Sequence, residues 1–241
     1  MGTTTDRFDG FFKSEFRVNE TIGRSVSYLR DGKLLGGNSG FAHIGSYRFL
    51  GDDDIAVEVT SRRHNFGAAH QSLLGSDVST IAVTGRAVGN AFCFEGGSPQ
   101  MPNATFRSVM TPLDESELAA PGTIGEGGIS NGLYSIHLKI LDGMPGGLTG
   151  VMLLNNGRIV GGDAFFYYLG SYSSANGRWK GEMVNQEHTP ARGEDPVFGG
   201  HEIGMGFAGT CDAEGGTLEG TALAGKRSIR FEAELKLICA A

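Results

Sequence analysis

The chain has 241 residues, 39% hydrophobic and 20% charged, with a net charge of −7, a globular composition without the clustered lysine and arginine that direct nucleic-acid binding requires. Forty glycines against seven prolines suit many short strands better than long helices, where an interior glycine costs about 1 kcal/mol relative to alanine. Three widely spaced cysteines (Cys93, Cys211, Cys239) form neither a disulfide framework nor a zinc signature, and no apolar leader or membrane-length apolar stretch occurs, so a soluble cytoplasmic protein with reduced thiols is expected.

Residues 1–9 read as a disordered tail. Strands begin at Gly10, and the first sharp signal is Asp31-Gly32, a two-residue type I′ hairpin turn in which both central residues need positive φ. A loop that short sets the register, so Leu29 faces Leu34 and Tyr28 faces Leu35, with apolar pairs on both faces of the ribbon. Gly36-Gly37 then falls opposite Ser27-Val26, where paired glycines mark a sharp bend in a curling sheet. "GDDDIAVEV" (Gly51 to Val59) leads an acidic turn, Asp52, Asp53 and Asp54, into an alternating strand.

Residues 113–131 form the linker. Thr111 and Pro112 are expected to start a short helix that uses Asp114, Glu115 and Glu117 in its first turn. Pro121 and the following glycines would end it in a flexible connector.

The second half repeats the first. "NNGRIVGGDAFFYYLGSY" (Asn155 to Tyr172) echoes "RDGKLLGGNSGFAHIGSY" (Arg30 to Tyr47), with identity at seven of eighteen positions and a constant offset of 125. Colinear matches continue with small slips: Ile55–His64 over Trp179–His188, Ile81–Gly85 over Met205–Gly209, Thr105–Met110 over Arg230–Leu235, and Gly10–Phe12 over Gly132–Tyr134. Asn156-Gly157 is the equivalent hairpin, pairing Leu154 with Ile159 and Leu153 with Val160. Period-2 alternation recurs in "SIHLKI" (Ser135 to Ile140), "IGMGF" (Ile203 to Phe207) and "IRFEAELKL" (Ile229 to Leu237). Two tandem all-β domains are therefore expected at 10–112 and 132–241. A small closed antiparallel barrel in each is favoured over a β-sandwich.

Three catalytic motifs fail their structural context. "GMGFAG" (Gly204 to Gly209) fits a dinucleotide fingerprint, but its alternation continues as a strand where a strand-to-helix turn is needed. "GTALAGKR" (Gly220 to Arg227) lacks the hydroxyl residue of a phosphate loop and reads as a hairpin turn. "GISNG" (Gly128 to Gly132) sits in the linker, without the strand–turn–helix of a nucleophile elbow. The histidines His43, His64, His70, His137, His188 and His201 show no metal-ligand spacing, and the equivalent pair His64 and His188 reads as structural. No catalytic residue, metal or cofactor is expected.

"GLYSIHLKI", "GVMLLNNGRIVGGDAFFYYLGSY" and "GEMVNQEH" resemble the GrlR family of negative regulators of type III secretion genes. The match rests on Gly132, Leu133, Tyr134, Asn156, Gly157, Gly161, Gly162, Asp163 and Gly170, and the first copy repeats it more weakly, with Asp31 and Asn38 exchanged for the family's Asn and Asp. The resemblance implies a lipocalin-like eight-stranded barrel and a dimer, for which the tandem would substitute. It also implies capture of a basic partner such as a transcriptional activator, drawn to a negative surface. Asp52, Asp53 and Asp54 stand where the family's exposed acidic run would be. The alternative is a carrier of a small apolar ligand, with Phe41, Phe165, Phe166, Tyr167 and Tyr168 as candidate lining.

Overall fold

The computed structural model describes residues 7–51, 53–67, 72–142, 147–191 and 202–241. The chain divides into two compact units, Met1–Asp114 and Glu115–Ala241, and each contains one closed barrel of eight antiparallel strands in up-and-down order. The first barrel runs β1 (Gly10–Val18), β2 (Thr21–Arg30), β3 (Lys33–Gly37), β4 (Phe41–Phe49), β5 (Asp54–Arg63), β6 (Val78–Val88), β7 (Ala91–Ser98) and β8 (Met101–Pro112), closing β8 onto β1. The second runs β9 (Gly132–Ile140), β10 (Gly147–Asn155), β11 (Arg158–Gly162), β12 (Phe166–Ala175), β13 (Arg178–Glu187), β14 (Ile203–Cys211), β15 (Gly215–Ala224) and β16 (Arg227–Ala240), closing β16 onto β9.

The hairpin registers are those the two-residue turns demand. Asp31 and Gly32 have φ of 51° and 78°, and Asn156 and Gly157 have 49° and 83°. Leu29 pairs with Leu34, Tyr28 with Leu35, Leu154 with Ile159 and Leu153 with Val160. The glycine bends are required by close approach: a Cβ on Gly36 would lie 2.1 Å from the Val26 carbonyl oxygen, and one on Gly161 would lie 2.3 Å from that of Val151. "GMGFAG" runs straight along β14, and Gly225-Lys226 turns β15 into β16.

Both expectations outside the barrels need correction. Of the segment expected to be a tail, residues 1–6 lie outside the described residues, and Phe8 is fully buried in the first core. Its ring lies 4.7–6.3 Å from those of Phe12, Tyr47, Phe49, Phe92 and Phe94, so it plugs the Asp31-Gly32 end. Tyr47 donates its hydroxyl to Asp9. Apolar burial of one aromatic ring suffices to order a segment that has no periodicity of its own.

The expected linker helix is absent, because Thr111 and Pro112 are consumed by β8 and a single Leu118 N–Glu115 O turn follows. The glycine-rich stretch after it is tied to the second barrel. Gly122 N donates to Gly157 O, Gly125 N to Ser174 O, and Ile129 N to the Ser174 hydroxyl at 2.8 Å. Ile129, 2% exposed, joins the second core at the end equivalent to that plugged by Phe8.

Candidate functional site

Strand pairing carries equivalent residues around each barrel in one continuous row. In the first barrel the row is Phe12, Ser27, Gly36, His43, Ser61 and Ser79. In the second it is Tyr134, Met152, Gly161, Tyr168, Asn185 and Ile203. Phe12, Tyr134, Met152, Tyr168 and Ile203 belong to the interior clusters, and side chains on paired positions share a face. Both rows therefore point inward. Where the second barrel places Met152, Tyr168, Asn185 and Ile203, the first places Ser27, His43, Ser61 and Ser79.

The next row repeats the substitution. Ser14 pairs with Ser25 and with Met110 of the first core, and its counterpart is Ile136. Gly23 stands where the second barrel has Leu148, and Val59 where it has Met183. Ser25 and Ser27 are 1% and 3% exposed, and Ser14 is 8% exposed. Among the described residues the hydroxyls of Ser14, Ser25 and Ser27 make no side-chain hydrogen bond. None of the three oxygens is sealed off as an unpaired buried atom, so each faces space that a water or a ligand atom can reach.

Aromatic walls flank these hydroxyls. Phe16 stacks on Phe106 with ring centroids 5.8 Å apart and meets His43 edge-on at 6.0 Å. Leu73 and Leu74, from the β5–β6 connection, pack against the core at this Asn38 end. Burial and the neighbouring His64 lower His43 to about 4, which keeps its ring neutral at pH 7. No Asp, Glu, Lys or Arg stands on these two rows; next on the same face of β5 is Arg63, paired with Asp77 at 3.1 Å. The half of the first barrel near Phe8 is packed with aromatic and aliphatic chains, and the other half sets small hydroxylated chains beside Phe16, Phe106, Leu73 and Leu74.

At the same level the second barrel carries larger side chains and keeps a cavity of about 30 Å³ at the Asp163 end, lined by residues that include Leu148, Thr149, Phe166, Tyr168 and Asn185. That is room for about two waters. Tyr168 satisfies its buried hydroxyl on Val151 O at 2.6 Å. Asp163 accepts hydrogen bonds from Phe165 N (2.7 Å) and Phe166 N (2.9 Å), and burial nevertheless raises it to about 6. Asn38 makes the equivalent turn by accepting from Gly40 N and Phe41 N, and it adds a donation to Arg24 O at 2.9 Å that a carboxylate cannot make. His64 and His188 both reach the backbone carbonyl of that turn residue, at 2.9 and 3.4 Å. The family-like G-G-D and G-G-N residues and the paired histidines thus form a clasp that holds the β3–β4 and β11–β12 turns to the end of the next strand.

The sequence-predicted acidic run is not gathered into a site. Asp52 lies outside the described residues. Asp53 and Asp54 are exposed, and Asp54 pairs with Arg86 of β6 at 3.3 Å, both side chains more than half exposed. Of the predicted ligand-lining aromatics, Phe166 and Tyr168 point into the second barrel and Phe165 is used by the turn. Tyr167, next to inward Tyr168, faces outward and donates to Gln186. Phe41 sits at the equivalent turn of the first barrel, where its amide is held by Asn38. His70 and His201 lie outside the described residues, and among those described no group of three metal-ligating side chains occurs.

Sequence reasoning missed the serine row. The signal was available in the aligned copies, where "KSEFRV" (Lys13 to Val18) lies over "SIHLKI" and Ser27 over Met152, but only barrel register shows that these positions share one interior.

No family model and no curated protein matches the chain. Among solved structures it is similar to a Bacteroides fragilis protein provisionally described as an outer membrane protein, at 9% identity over 98% of this chain and 99% of that one, with a TM-score of 0.26. A likeness that low bears on neither fold nor function.

Proposed function

We propose that the chain is a non-enzymatic binding protein whose first barrel takes a small molecule into its interior while the second acts as a packed scaffold. The observation that supports this reading is the set of buried Ser14, Ser25 and Ser27 hydroxyls, without side-chain partners, on and beside the row of neutral His43; the second copy fills two of these positions with Ile136 and Met152. A buried polar group sealed without a hydrogen bond costs about 1–3 kcal/mol, and these three avoid that cost by facing space that a water or a ligand atom can reach. An eight-stranded barrel is wide enough for one small ligand when its own side chains do not fill it.

The test is the sign of a stability change. Copying the second barrel into the first, as Ser14→Ile, Ser27→Met and Ser79→Ile together, should raise the melting temperature if space is present. In a filled core the same change would overpack and cost about 1–3 kcal/mol per site. A lowered melting temperature therefore defeats the reading.

A second reading follows the GrlR resemblance: a negative regulator that captures a basic activator through its acidic turn. The exposure of Asp53 and Asp54 favours it. Pull-down from native lysate with the wild-type chain and with Asp53→Asn/Asp54→Asn should lose a basic partner, and identical partners from both baits would remove these residues from consideration.

A further inference from the structure

The interior of the first barrel also constrains what can occupy it, and this inference rests on the ligand-binding reading above. We infer that its ligand is a neutral aromatic or heteroaromatic compound of one or two fused rings that carries a hydroxyl or similar hydrogen-bonding group.

Charge is decided by what the rows lack. The two rows at the serine level carry no cationic or anionic side chain, and Arg63, next on the same face toward the Asn38 end, is taken up by Asp77 at 3.1 Å; a charged ligand would be desolvated without compensation, and burying an unpaired charge is far more costly than burying a polar group. Fatty acids and other carboxylates are disfavoured on that ground.

Polarity is decided by the hydroxyls. A purely apolar occupant would displace water from Ser14, Ser25 and Ser27 and leave all three unpaired. A ligand hydroxyl both donates and accepts, as do serine and a neutral histidine, so it can match them in either direction.

Shape is decided by the walls. Phe16 stacks on Phe106 beside the serines, and a flat ring can pack against such faces at the centroid separations of about 4.5–7 Å usual for aromatic pairs. Size is limited because the half of the interior nearest the plug is occupied by Phe8, Phe12, Phe92 and Phe94.

Isothermal titration with four probes separates these requirements: 2-naphthol, naphthalene, 2-naphthoate and decanoate. The expected result is saturable binding of 2-naphthol, about tenfold or more tighter than each of the others, one good hydrogen bond's worth of discrimination. In Ser25→Ala/Ser27→Ala, which removes hydroxyls without filling space, 2-naphthol should fall toward the affinity of naphthalene. In Ser14→Ile/Ser27→Met/Ser79→Ile it should not bind.

Equal or tighter binding of decanoate, naphthoate or naphthalene overturns the ligand class, as does the absence of saturable 2-naphthol binding. So does 2-naphthol binding that survives the filling variant, which would place it elsewhere. The melting temperature of that same variant reports separately on whether the interior is open, so the ligand class can fail while the binding reading stands.

Discussion

The two barrels share strand order, register, turn glycines and a histidine clasp, and they differ in what stands inside. Around one equivalent row the first carries Ser27, His43, Ser61 and Ser79 and the second Met152, Tyr168, Asn185 and Ile203. The backbone positions that make the curvature did not change, since a Cβ on Gly36 or on Gly161 would meet the opposing carbonyl at 2.1 or 2.3 Å. A barrel of this kind is held closed by its turns and bends, which leaves the contents of its interior free to diverge. On the proposed reading, the copy with the larger apolar side chains inside serves stability, and the copy with hydroxyls inside serves binding.

The largest expected effect lies where both barrels use the same strategy, the plugged end. Phe8→Ala removes a fully buried ring that touches five others, and should lower unfolding stability by about 3–5 kcal/mol, measured by urea denaturation. The matching change Ile129→Val in the second barrel should cost only about 0.5–1.5 kcal/mol. A loss below about 1 kcal/mol for Phe8→Ala would show that the plug is dispensable and that the two ends are not comparable.

The interiors should also respond to acid with opposite signs. Asp163 is raised by burial to about 6 from an ordinary 3.8. Between pH 4 and 6 the folded state holds a proton that the unfolded chain has released, so stability falls as pH rises through that window and is then flat. The shift corresponds to about 3 kcal/mol. Asp163→Asn copies Asn38, keeps the turn and should remove the slope, stabilising the protein at pH 8 and leaving it unchanged near pH 4.

His43 works the other way. Lowered to about 4 from 6.5, it stays neutral in the folded state while the unfolded chain takes up a proton. Its contribution is present above pH 6.5 and is lost as pH falls toward 4. His43→Tyr copies Tyr168 and should flatten that limb. Urea titrations of each variant from pH 4 to 8 check both signs, and a parallel pH profile for the wild type and Asp163→Asn would sink the first.

A smaller effect is expected at the shared bends. Gly36→Ala and Gly161→Ala each force a methyl onto a carbonyl oxygen, and each should cost about 1–3 kcal/mol. The two losses should agree, because backbone and not interior chemistry sets them. A clearly cheaper change in the first barrel would mean that its sheet relaxes into open space, which sharpens the contrast further.

Much of this architecture was legible in the sequence, for reasons that are local. Asp31-Gly32 and Asn156-Gly157 demand one turn geometry, and a two-residue loop then dictates every pairing from Arg30–Lys33 back to Val26–Gly37. The duplication was legible because the same turn and bend residues are needed twice. Phe8 was not, since a single ring ahead of the first strand, which begins at Gly10, has no period to betray it. The linker helix failed because Thr111 and Pro112 read as a cap and first turn, while β8 needed both residues to close on Phe12 and Lys13 of β1. The serine row was missed because alternation marks which residues share a face within one strand, whereas a site emerges only when six strands bring one position each to the same level.

The smallest expected effect concerns the acidic turn, the feature that the second copy lacks altogether. Asp54 meets Arg86 at 3.3 Å with both side chains well solvated, and exposed pairs of that kind contribute about 0–1 kcal/mol. Asp54→Asn should therefore shift the urea midpoint by no more than that and should leave 2-naphthol binding unaltered, since the turn lies at the plugged end and the serines at the other. A loss of stability well above 1 kcal/mol would mean that the turn braces the β5–β6 edge. A loss of ligand affinity would mean that the plugged end communicates with the hydroxylated half, and the division of the first barrel into a packed half and a binding half would then have to be given up.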